Sequence, residues 1–141
     1  MSEKSENNNV EKAKKRLGDL ISKCRGTRMS QRQLAATVGL SPSNMKYIED
    51  GINCPTADVY SKIVSTLNPT SKKRAEMDRA YMIIRNTPPP DVCDRVRKDP
   101  LLMNAIRAMD GAPLTESQAL QVTTLFASFA LENSKGEQHN G

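Results

Sequence analysis

The chain has 141 residues, a net charge of +5 and only 4% aromatic residues with no tryptophan, which suits one small domain plus an extension around a mainly aliphatic core. No apolar run approaches the roughly 18 residues needed to span a membrane. Met1 to Asn9 also lacks the hydrophobic centre of an export signal, so a cytoplasmic protein is expected.

Residues 1–9 are polar, with Asn7, Asn8 and Asn9 in a row, and are expected to be disordered. A first helix should run from Val10 or Glu11 to about Arg25, because Leu17, Leu20, Ile21 and Cys24 repeat at the spacing of one buried face. Lys12, Lys14, Lys15 and Arg16 crowd its start, where the helix dipole disfavours cations. They read equally well as a basic arm near phosphates and as a solvated helix end. Arg25 to Met29 is a connection containing Gly26.

Ser30 followed by Gln33 is a capping box, in which each side chain satisfies a backbone N–H left free at a helix start. Leu34, Ala35 and Val38 give the short helix that follows one apolar stripe, and Gly39 ends it by taking a positive φ without a Cβ clash. Ser41 and Pro42 then supply an N-cap and a proline at the first helical position. Met45 and Ile48 face inward on this second helix, Ser43, Asn44, Lys46 and Tyr47 point elsewhere, and Gly51 closes it. Two short helices joined by a glycine turn, the second with a thin apolar seam and a polar outer face, form a helix-turn-helix.

On these residues the stretch resembles the DNA-binding domain of the phage Cro and repressor class, the bacterial XRE-like family. Gln31, Ala35, Gly39, Met45 and Ile48 match the family's phosphate-contacting glutamine, small crossing residue, turn glycine and two core apolars, and Glu49, Gly51 and Pro55 match its ending. The resemblance covers roughly residues 12–68. It implies an all-α fold: a four-to-five-helix Cro/repressor-like bundle over residues 10–69, with a helical C-terminal extension.

Beyond the motif, Pro55 bars helix continuation, and a fourth helix reads Ala57 to Leu67 with Val59, Ile63 and Leu67 on one face. Asn68-Pro69-Thr70 breaks the pattern, and Ser71 can cap a fifth helix to Arg85 with Met77, Ala80, Tyr81 and Ile84 inward. Thr87-Pro88-Pro89-Pro90 should be an extended, stiff spacer. Short helices over Asp91–Lys98 and Pro100–Met109 follow, and Thr115 with Gln118 forms a second capping box for a last helix to about Glu132. In that helix Leu120, Val122, Leu125, Phe126, Phe129, Ala130 and Leu131 wrap more than one face, so it should be buried on several sides. That helix can be the centre of a C-terminal core, half of a dimer interface, or a mixture of the two, so residues 70–132 are expected to be a region for dimerisation or for a protein partner or effector, with Leu120, Leu125, Phe126 and Phe129 as dimer contacts, ahead of a frayed tail over 133–141.

Positive charge sits toward the front: residues 1–70 hold 11 basic and 7 acidic residues, 71–110 hold 9 and 6, and 111–141 hold 1 and 3. A basic surface favours polyanion binding through counterion release, and is also ordinary for a solvated protein. Cys24, Cys54 and Cys93 lack C-x-x-C spacing and His139 is the single histidine, so no metal site is expected. No cofactor is expected either, and no catalytic constellation can be placed.

What the resemblance implies for DNA is specific to positions. Ser43, Lys46 and Tyr47 are the candidates for base contact, with Asn44 at the groove edge. Gln31, Arg25, Arg28, Arg32, Ser41, Asn53 and Lys62 are candidates for the DNA backbone. Pro42 departs from relatives that carry a base-reading side chain there, which puts more of the specificity on its neighbours or on DNA shape. The competing bland readings are an i, i+4 pair of Lys46 with Asp50 and a Tyr47 ring lying on its own helix. The expected function is a transcriptional repressor binding a palindromic operator in double-stranded DNA as a homodimer. The alternative is an interaction adaptor or antitoxin-like partner protein, for which an apolar recognition face would be the signature.

Overall fold

The structure, a computed structural model, describes residues 3–139. It is all-α: eight helices and no strand among the described residues. They are α1 (Glu3–Arg25), α2 (Gln31–Val38), α3 (Pro42–Glu49), α4 (Ala57–Leu67), α5 (Ser71–Arg85), α6 (Pro90–Arg97), α7 (Pro100–Arg107) and α8 (Glu116–His139). The chain divides into two compact units, one ending at Pro100 and the other beginning at Leu101.

Local sequence chemistry sets most helix ends. Ser30 Oγ accepts from the Gln33 N–H at 3.0 Å while Gln33 Oε1 accepts from the Ser30 N–H at 2.7 Å. Gly39 takes φ +78° at the end of α2, and Ser41 Oγ accepts from the Asn44 N–H at 3.2 Å to open α3. Thr115 and Gln118 form the second reciprocal cap at the start of α8. The cap of α5 is Thr70 rather than Ser71, with Thr70 Oγ1 accepting from the Lys73 N–H at 3.3 Å.

Two expected disordered ends are helical instead. α1 begins at Glu3, not near Val10, since a helix nucleated by its buried stripe extends one hydrogen bond per residue, and Glu3 and Glu6 complement its N-terminal dipole. α8 likewise continues past Glu132 to His139 with no proline to stop it. The remaining positions expected to be disordered, 1–2 and 140–141, lie outside the described residues.

The core of the first unit gathers Leu17, Leu20 and Ile21 from α1, Leu34, Ala35 and Val38 from α2, and Met45 and Ile48 from α3. It is completed by Tyr60, Ile63 and Leu67 from α4 and by Met77, Ala80 and Tyr81 from α5. Tyr60 stacks on Tyr81 with ring centroids 4.4 Å apart, and its hydroxyl donates to Asp78 at 2.7 Å. Arg74 holds the same carboxylate and reaches Asp91 of α6 at 3.3 Å. The expected boundary at residue 69 therefore moves: α5 packs on α1 and α6 on α4, and the connection Thr87 to Pro89 lies inside the unit, with Pro89 buried and extended as expected of the proline run while Pro90 already opens α6.

Two glycines allow the close approach of α1 to the end of α3. A Cβ on Gly18 would sit 2.4 Å from the Ile48 carbonyl oxygen and 2.5 Å from that of Glu49. Gly51 has φ +76° and lies against the Lys15 backbone, where a Cβ would come within 2.6 Å of Cα.

The second unit holds α8, with most of α7. Among the residues whose side chains are described, neither helix has a buried one: Leu101, Ile106, Leu120, Leu125, Phe126, Phe129 and Leu131 are all exposed. The expectation that the last helix is buried on several sides does not hold within one chain. Its apolar residues spread around the helix, and no single neighbouring face can cover them.

Candidate nucleic-acid interface

α3 is held from beneath and open above. Met45 and Ile48 are buried against the other helices, while Ser43, Asn44, Lys46 and Tyr47 are exposed, Tyr47 by 45%. The four candidates for base contact thus share the outer side of one short helix. Lys46 Nζ lies 2.5 Å from Asp50 Oδ2, and this contact raises the ammonium's pKa. Both partners are solvent-exposed, so the pair is readily exchanged for another anion. Asn44 sits at the rim of a hollow of about 230 Å³ between α3 and α4, with Asn53 on the same rim.

The candidates for backbone contact divide into free and occupied groups. Arg32 is exposed with no ion pair among the described residues, and it follows Gln31 at the start of α2, where the N–H groups ahead of the capped Gln33 have no intrahelical partner. Ser41 is exposed but its oxygen caps α3, and Lys62 pairs with Asp58 at 2.9 Å. Arg25 is turned inward: Nε donates to Glu49 at 2.9 Å and Nη1 to the Met29 carbonyl at 3.1 Å. The Gln31 amide donates to the other oxygen of Glu49. Arg28 Nη2 donates to the carbonyls of Cys24 at 2.8 Å and Leu67 at 3.0 Å. Arg25, Arg28 and Gln31 therefore hold helix ends together, whatever else they touch.

Glu49 is the residue whose weight sequence reasoning missed. Its side chain is 3% exposed, and it joins the end of α1, the start of α2 and the end of α3 through one carboxylate. A buried carboxylate persists only when its lone pairs are used, and here a guanidinium and an amide use them. A glutamate directly after a core isoleucine was the available signal.

No family model, curated protein or solved structure matches the chain. The site's chemistry thus rests on its own geometry: a cation, an amide, a hydroxyl and a phenol displayed on a rigid helix. Elsewhere, burial pushes the Cys54 thiol up, away from thiolate reactivity. No cluster of His, Cys, Asp or Glu able to hold a metal occurs among the described residues. No helix among them is long and apolar enough to cross a membrane.

Proposed function

We propose that this chain is a sequence-specific DNA-binding transcriptional regulator, a repressor acting in the cytoplasm as a homodimer, with α3 laid in the major groove of a two-fold operator. The observation that carries the reading is the split character of α3, buried through Met45 and Ile48 and polar outward through Ser43, Asn44, Lys46 and Tyr47. A convex helix of this kind can enter a groove that admits one helix, and Lys46 can donate to guanine O6 or N7. Arg32 and the free N–H groups at the start of α2 supply phosphate contacts that fix register. The net charge of +5 supplies the nonspecific attraction. Leu120, Leu125, Phe126 and Phe129 of α8 supply the pairing surface, since an exposed apolar set of this size marks an interaction site. The reading requires no cofactor and no catalytic step.

The test is selection from a pool of random duplexes at near-physiological salt. A palindromic consensus with half-sites about one helical turn apart is the expected result. A single half-site would keep the regulator and remove the dimer. Binding that selects nothing and vanishes as salt rises would sink the reading. The interaction adaptor or antitoxin-like partner would then lead, supported by the same exposed apolar residues on α7 and α8.

A further inference from the structure

We propose that the groove between α1 and α5 is a binding site for a small amphipathic anion, a single carboxylate or phosphate head on a short alkyl or acyl chain. The groove is open to solvent, has a volume of about 530 Å³ and is lined by Asn9, Lys12, Ala13 and Arg16 from α1 and by Glu76, Arg79, Ala80 and Ile83 from α5. Each set repeats at i, i+3, i+4 and i+7, so each is one continuous face of its helix. The volume lies within the range of small-ligand sites.

The lining has an order. Ala13 and Ala80 are the buried floor, and their small side chains leave the depth that larger residues would fill. Arg16 closes one end by pairing with Glu76 at 3.1 Å, which neutralises the one carboxylate in the groove. Lys12 and Arg79 stand one residue before the two floor alanines, are exposed, and have no ion pair among the described residues. Two uncompensated cations beside an apolar floor suit one anionic head. At the opposite end Ile83 is 45% exposed, a large aliphatic side chain over which an alkyl chain can lie. A DNA backbone would use the cations but leave the alanine floor and Ile83 unfilled.

This site is independent of the DNA reading. Its test uses the 141-residue chain labelled with ¹⁵N and titrated with octanoate, with octanol as the neutral equivalent and acetate as the carboxylate head alone. Octanoate is expected to shift the amides of residues 9–16 and 76–83 saturably, and to bind about tenfold or more tighter than either control. Replacing Lys12→Gln and Arg79→Gln together should weaken octanoate about tenfold while leaving thermal unfolding unchanged. Ile83→Ser should remove most of the advantage of octanoate over acetate. Equal binding of octanol and octanoate, shifts confined to α8, or no saturable shift overturns the proposal. So does duplex DNA of arbitrary sequence that competes with octanoate for these amides, which would place Lys12 and Arg79 on a nucleic-acid path.

Discussion

The unit ending at Pro100 and the unit beginning at Leu101 are built from the same kinds of residue and use them oppositely. In α4 Tyr60, Ile63 and Leu67 are buried, Val59 and Val64 pack half-buried beside them, and Lys62 and Ser65 lie outside. In α8, Leu120, Leu125, Phe126, Phe129 and Leu131 stand around the helix and all five are exposed. A stripe can be satisfied by neighbours in the same chain. A helix apolar on several sides needs more than one neighbouring face to cover it, so the first unit stores its apolar area as stability and the second leaves it exposed.

Substitutions sharpen that contrast by splitting folding from pairing. Gly18→Val should have the largest effect, about 3 kcal/mol lost in urea unfolding, because the added carbons meet the backbone oxygens of Ile48 and Glu49 and force α1 away from α3. An unchanged midpoint would mean that α1 does not seat against α3. Alkaline pH comes next. Burial, then the bond to Asp78, pushes the Tyr60 phenol far above its ordinary range. The unfolded chain releases this proton near pH 10 while the folded chain keeps it, so the stabilisation is complete below that pH and is lost above it. The slope should be about 1.4 kcal/mol per pH unit. Tyr60→Phe should flatten this fall and cost about 1 kcal/mol at neutral pH.

In the second unit the readout changes. Phe126→Ser with Phe129→Ser should leave the unfolding free energy of the first unit within about 0.5 kcal/mol of the parent, while sedimentation shifts from dimer to monomer. Loss of folding with no change in mass would instead give α8 a core role. The smallest stability effect belongs to Lys46→Ala, which should leave the unfolding midpoint where it was, since its pair with Asp50 is exposed. On DNA it should relax preference at one base pair and cost about tenfold in specific affinity, measured against random duplex.

What sequence reasoning reached follows the range of the interactions involved. Ser30 with Gln33, Ser41, and Thr115 with Gln118 act within one helical turn, so their spacing alone placed three helix starts. The buried stripes of α1 to α5 were legible for the same reason. Gly18 was not, because an interior helical glycine reads as a weak helix former until the carbonyls of α3 are set against it. Nor was the commitment of Arg25 and Gln31 to Glu49, residues 24 and 18 positions away in sequence. The outward face of α3 was readable, whereas the division of the surrounding basic residues into free and occupied groups depended on tertiary neighbours.

Arg28 joins two helix ends that the chain order keeps far apart. One nitrogen of its guanidinium, Nη2, donates to the last-turn carbonyls of both α1 and α4, at Cys24 and Leu67. Groups that ordinarily fray independently thereby share a single fastening. Opening of either terminus strips a partner from the other, so the amide protons of the two final turns should exchange with solvent as one cooperative set rather than two. The corner beside the start of α2 is thus timed by a single side chain, and the kinetics of its loosening would be read at α4 as well as at α1.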